Sequence, residues 1–311
     1  MQSAEFLSAV FFYLKVGENL NQNWIVENLN NAFSTWNGKL GELWGLVTTG
    51  PQTFKGGAVW SVMQTLHNGM VGIGYALVVL FFAISLCKNT MNFHELKRPE
   101  AAIHYFLRFV AAKALVGYGM DIMLNVFSIC NGIVTDMADS MGGISEAMVS
   151  LPAEMQTAIE NVGFLASIPL WLVTILGSLF ITVLSFVMIL TVYGRFFRLY
   201  MYTALAPLPL AAFAGESTQS VGISFLKSYV GVCLEGAVIV LACVIYSAFV
   251  STPTVASGEA TTIVWSYLAE TVFNMLVLVG LIKGSDRIIH EMMGLSLIHI
   301  SEPTRPEPIS Y

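Results

Sequence analysis

The 311-residue chain is poor in charge. Only 11% of its residues are Asp, Glu, Lys or Arg, and 56% are hydrophobic. A soluble domain carries about 25% charged residues, so an ordinary water-exposed globule is excluded. The formal net charge of −6 leaves no broad basic surface for nucleic acid. Lys and Arg are missing altogether from residues 114–194 and 228–282. Cysteine is scarce: Cys87, Cys130, Cys233 and Cys243 form no CxxC pair and read as small apolar packing residues. Phe6–Leu14 is apolar, but Glu5 precedes it and no basic stretch does, so it is not read as a signal peptide. His67, His94, His104, His290 and His299 form neither HxxxH nor HExxH. No phosphate loop, no GxSxG and no paired carboxylates at useful spacing occur. The expectation is no metal, no cofactor and no enzyme. An internal repeat is not evident either, which weighs against an inverted-repeat transporter.

What the chain has is long apolar runs, and they predict an all-α polytopic membrane protein. About 20 apolar residues cross a hydrocarbon core of about 30 Å. Five segments meet this: 69–87, 109–129, 164–193, 228–250 and 263–282. The second carries Lys113 and Asp121, the third is charge-free, and the last two hold only Glu235 and Glu270. Basic residues set orientation. Lys88, Lys97 and Arg98 follow the first span, Arg195, Arg198 and Lys227 lie between the third and fourth, and Lys283 and Arg287 follow the fifth. The outer loop 135–163 carries five acids and no base. The charges thus place the N-terminus outside and the C-terminus inside.

Residues 1–66 are read as an extracytoplasmic N-terminal segment and 67–294 as the transmembrane domain. Within the first, Trp24, Ile25, Leu29, Phe33, Trp36, Leu40, Leu43 and Trp44 recur at helical spacing. They predict an amphipathic helix ending near Gly50-Pro51, lying at the membrane interface or packing on other helices. The far end is different. Leu295–Arg305, LSLIHISEPTR, matches over eleven residues one reading frame of a transposon-end adapter used in sequencing libraries. Residues 295–311 are therefore read as an assembly artefact, with the native C-terminus still to come.

The segment YGRFFRLYMYTALAPLPLAAFAGES, residues 193–217, poses the sharpest local problem. Its apolar part is too short to cross and return, and Pro207 and Pro209 interrupt it. Flanking basic residues put both its ends on one side, which predicts a re-entrant or interfacial hairpin that reverses at the prolines. Such an elbow gates a passage or merely braces two spans. Arg195 and Arg198 share a helical face at i, i+3, and with Lys227 they are candidates for phosphate or headgroup contact, or plain positive-inside anchors. Asp121, Glu235 and Glu270 sit at membrane depth and are expected to face another helix, a wet lining or a partner within the monomer.

The order of these features has a counterpart. GPQTF leads into the first span, CKNTMNFHELKRPE and AAIHYFLRFVAAKAL follow, then ALAPLPLAAFA, FLKSY and LEGAVIVLA. The chain resembles, over about residues 52–294 and most sharply over 195–245, the TrbL-type, VirB-class polytopic inner-membrane subunit of conjugative type IV secretion systems. It looks closest to the versions on mobile elements of Gram-positive bacteria. The resemblance implies a channel or platform subunit of the cytoplasmic membrane that forms a homo-oligomer. It also implies VirB-class ATPases and membrane scaffold proteins as partners, and transient contact with a DNA–relaxase complex. The alternative is a stand-alone secondary transporter for a small solute.

Overall fold

A computed structural model describes residues 2–90, 99–140, 148–162, 164–250 and 260–294. The tail 295–311, with His299, lies outside the described residues, as do His94, Lys97 and Arg98. Among the described residues the secondary structure is helical throughout: α1 (Gln2–Thr48), α2 (Ala58–Thr90), α3 (Pro99–Gly117), α4 (Gly119–Ser140), α5 (Ala153–Glu160), α6 (Phe164–Leu205), α7 (Pro207–Ala211), α8 (Gln219–Val250) and α9 (Ala260–Met292). Short 3-10 turns at Phe54–Gly57 and Ala212–Ala214 precede α2 and follow α7. Among the described residues four stretches are long and apolar enough to cross a membrane, Phe54–Lys88, Ser167–Leu205, Gln219–Ala248 and Thr262–Met292, and one bent helix pair would make a fifth. The all-α polytopic fold is as the apolar runs predict. The second expected span differs. Residues 109–129 straddle a break at Tyr118, where Ile103–Gly117 and Gly119–Ser140 meet at 72°. The break sits in GYG, where glycines on both sides of Tyr118 lower the cost of leaving the helix.

The chain divides into two compact units. The first comprises residues 1–49, 133–195 and 236–284. Its core is fed by one stripe of α1: Ile25, Leu29, Phe33, Trp36, Leu40, Leu43 and Val47 are all buried. Steps of three and four residues keep them on one face. Trp36 meets Tyr246 of α8 at 6.0 Å between ring centroids. The apolar face of α1 is therefore a packing seam within the chain's own core, not a surface laid on a membrane.

The second unit comprises residues 50–132, 196–235 and 285–311. Here α2, α3, α7 and the turn after it pack together. Tyr229 Oη of α8 donates to the Met123 carbonyl of α4 at 2.8 Å, fastening the two inside the bundle.

Candidate functional site

The elbow after α6 is positioned by a series of contacts with α2, all inside the second unit. Phe196 stacks on Phe54 at 4.0 Å between centroids. Tyr200 Oη donates to the Pro51 carbonyl at 2.9 Å. A Cβ on Gly74 would lie 3.0 Å from Pro207 and 2.9 Å from Val116, so only glycine lets α2, α3 and α7 approach this closely. Glu216 N–H reaches Ser85 Oγ at 3.5 Å. From Phe196 to Glu216 the chain advances along α2 from its beginning to near its end. The expected reversal at the prolines is not found. Ala206 keeps helical angles (φ −48°, ψ −39°), and Leu210 N–H bonds its carbonyl at 3.1 Å. Pro207 instead opens a new short helix at its first position, where the fixed φ of proline suits the helix. The chain reverses later, at Gly215–Thr218, before α8.

Lys88, in the last turn of α2, and Arg198, level with its start, were expected on one side of the membrane. They lie toward opposite ends of α2.

Pro207 has a second effect. It cannot donate to the carbonyl four residues back, on Thr203. His67, which is 1% exposed, fills the gap: its Nδ1 lies 2.7 Å from the Thr203 oxygen. A carbonyl only accepts, so Nδ1, not Nε2, donates to it. A Cβ on Gly119 would come within 3.6 Å of that Nε2. His67 thus stands where both helix interruptions, at Ala206 and Tyr118, come together. Sequence reasoning left it unassigned. The available signal was Pro207 itself, whose missing N–H implies a donor from elsewhere.

A charge cluster around one buried carboxylate is the second feature. Arg198 Nη2 donates to Glu235 Oε2 at 2.7 Å, and Nη1 to Asp286 Oδ1 at 2.6 Å. His290 Nε2 lies 3.2 Å from the same Asp286 oxygen. The Glu235 side chain is 2% exposed and that of Arg198 28%. A charge this deep needs a hydrogen-bonded partner, and one guanidinium ties α6, α8 and α9 together. Asp286 was not singled out from sequence.

Arg195 behaves differently from Arg198. It is 1% exposed, within the first unit. A Cβ on Gly236 would lie 2.9 Å from its guanidinium nitrogens, so the group lies flat on α8. Its Nη1 donates to the Val47 carbonyl at 3.4 Å, at the C-terminal end of α1, where carbonyls lack helical partners and a cation is favoured. The shared phosphate-facing surface expected of Arg195 and Arg198 is thus not what they form. One is buried and the other is held by carboxylates. Lys227 is exposed on α8. Asp121 is exposed in the first turn of α4, where the helix dipole favours an acid. Glu270 is half-buried on α9. Of the three expected intramembrane acids, Glu235 is the one brought to a basic partner in this cluster.

Comparison with known families decides the assignment. The family described as "TrbL/VirB6 plasmid conjugal transfer like protein" matches residues 36–207, more than half of the chain. The chain belongs to the TrbL/VirB6 conjugal transfer family. The match runs from the last third of α1 to the first proline of the elbow, so ALAPLPLAAFA is only partly inside it and LEGAVIVLA lies beyond. No curated protein and no solved structure matches the chain. A TrbL/VirB6 protein is a structural subunit of a conjugal transfer, or type IV secretion, system and not a member of a known enzyme family. Association with other secretion components comes with that membership.

Proposed function

We propose that the chain is a channel or platform subunit in the cytoplasmic membrane of a conjugative type IV secretion machine, helping a DNA–protein complex across. Family membership is the observation that carries this reading. It works as a homo-oligomer, with VirB-class ATPases, membrane scaffold proteins and the DNA–relaxase complex as partners. The Arg198 end of α6 and the Lys283–Arg287 end of α9 face the cytoplasm and the N-terminus faces outward. Within this scheme the elbow, Pro207 and Pro209 included, is a fixed prop and His67 its fastening. The test is a donor strain lacking the gene. Transfer to recipients should fall to background and return with the intact chain in trans. Undiminished transfer from the deletion strain overturns the proposal.

A second reading, a secondary transporter for a small solute, has one observation in its favour. Two interrupted helices, at Tyr118 and Ala206, adjoin at His67, and transporters build substrate sites from discontinuous helices. It predicts solute accumulation in proteoliposomes of the purified chain alone, which a secretion subunit does not give.

A further inference from the structure

Two helices of the first unit keep one register over the thickness of a bilayer. Trp24 meets Trp171 at 5.6 Å between ring centroids. Asn28 Nδ2 donates to the Thr174 carbonyl at 3.3 Å and to Ser178 Oγ at 3.1 Å. Lys39 Nζ lies 5.8 Å from the centre of the Phe186 ring, and Arg195 bonds Val47. The partners differ in number by 146 to 150 throughout. So α1 and α6 run parallel and in step from Trp24 to Val47, about 35 Å at 1.5 Å per residue, slightly more than a hydrocarbon core.

Over these levels the two outward faces are opposites. On α6, Leu172, Leu176, Leu179, Val183, Phe186 and Leu190 are exposed. Such a face suits lipid. On α1 the exposed positions include Glu27, Asn30, Ser34, Gly38, Gly41 and Gly45, and Trp24 is the only large hydrophobic side chain exposed among its described residues. A Cβ at Gly38, Gly41 or Gly45 would meet nothing within 4 Å. Amides and carboxylates do not face hydrocarbon without cost.

A third observation is independent of both. Residues 148–152 are not helical, and they pack at the level of Asn37, halfway along the shared stretch. Asn37 Nδ2 donates to the Val149 carbonyl at 2.7 Å, and its Oδ1 accepts the Val149 N–H at 2.9 Å. Tyr267 Oη of α9 donates to the Ser150 carbonyl at 2.9 Å. At membrane depth, non-helical backbone is found only when buried in protein or beside a water-filled cavity. An open groove of about 580 Å³ lies there, between Asn30, Ser34, Asn37, Gly38 and Gly41 of α1 and Met148–Ser150.

We propose that the outward face of α1, from Glu27 to Gly45, together with the loop 148–150, lines a water-filled passage at the depth of the lipid-facing stretch of α6. This rests on the channel reading above and names the helix that fronts the channel. It makes α1 a membrane-depth element, not the extracytoplasmic segment expected of residues 1–66. The small residues would also admit a second copy of the helix. Glu27, Asn30 and Glu42 on the same face, and the open groove, favour water.

The test uses the full chain in membrane vesicles of both orientations, with the exposed native thiol removed by Cys87→Ser. Single substitutions Ser34→Cys, Gly38→Cys and Gly41→Cys are compared with Leu179→Cys, Val183→Cys and Leu190→Cys on α6. The probe is a charged, membrane-impermeant methanethiosulfonate. The α1 positions should react about tenfold faster or more than the α6 positions, as expected for water against hydrocarbon. Fast reaction at both sets would put the stretch outside the membrane and overturn the proposal. Slow reaction at both sets overturns it too, and disulfide-linked dimers through the α1 positions would then identify a second copy as the occupant. Labelling needs no mating, so this result and the transfer assay can fail separately.

Discussion

The first unit is built around two long stretches of uninterrupted helix and the second around breaks. In the first, α1 and α6 hold one register from Trp24 to Val47. The second contains the 72° bend at Tyr118, the interruption at Ala206 and the reversal at Gly215–Thr218. Each break frees backbone groups that an apolar bundle cannot leave unpaired. Side chains answer them: His67 serves the Thr203 carbonyl and Tyr200 that of Pro51. The first unit uses such donors where helix stops, Arg195 at Val47 and Asn37 at Val149. These four side chains therefore follow interruptions of the backbone.

If that account holds, the charge pair of the second unit is a fastening, and removing half of it does the greatest damage. Arg198→Met leaves Glu235 buried without its guanidinium. The expected loss is about 3 kcal/mol, at the low end for breaking a buried pair because Arg198 is partly exposed. The double variant Arg198→Met/Glu235→Leu should recover most of it, since apolar side chains of similar volume replace buried pairs at little cost. Thermal unfolding of the purified chain in detergent measures both. Equal instability of the single and double variants would show that Arg198 matters for something other than Glu235.

The difference between the units also explains what was legible in the sequence. Hydrophobic period alone marks Trp24, Ile25, Leu29, Phe33, Trp36, Leu40, Leu43 and Trp44 as one face, and it is buried except at its two ends, where Trp24 is exposed and Trp44 half-buried. The four uninterrupted spans follow from apolar length. Breaks were only half legible. Pro207 marks where a helix stops, while the span read over 109–129 passes straight through the break at GYG, and direction after a stop depends on what the chain packs against. Gly74 admits Pro207 beside α2, and so the chain runs on where a hairpin was expected. Asp286 and His67 escaped because a polar partner is chosen by tertiary contact: Pro207 implies a donor for the Thr203 carbonyl but does not say that His67 supplies it.

Close approach is a second way to separate the units. Gly74→Val places atoms where Val116 and Pro207 already stand, within 3.0 Å of the added Cβ. Overpacking of this kind costs about 1–3 kcal/mol. Gly38→Val in the first unit adds a side chain over open space, so its effect should stay within about 0.5 kcal/mol. The two melting curves, taken side by side, test whether breaks and not straight helices demand glycine. A Gly38 variant as unstable as the Gly74 variant would mean that the α1 face is covered.

The smallest expected effect tests the account where the first unit has its own non-helical stretch. Asn37→Ala removes the donor to the Val149 carbonyl and the acceptor for its N–H. If water fills the groove beside Gly38 and Gly41, it replaces both partners, and the loss is about 1 kcal/mol, that of ordinary solvent-exchanged hydrogen bonds. A dry groove would leave two buried backbone groups unsatisfied, and the cost would rise to about 2–3 kcal/mol. Asn37→Asp separates the two bonds, because a carboxylate still accepts the Val149 N–H but offers the carbonyl no donor. With water present, Asp should differ little from Ala in stability. In a dry groove the carboxylate adds a desolvation cost of its own, and Asp should be the worse of the two.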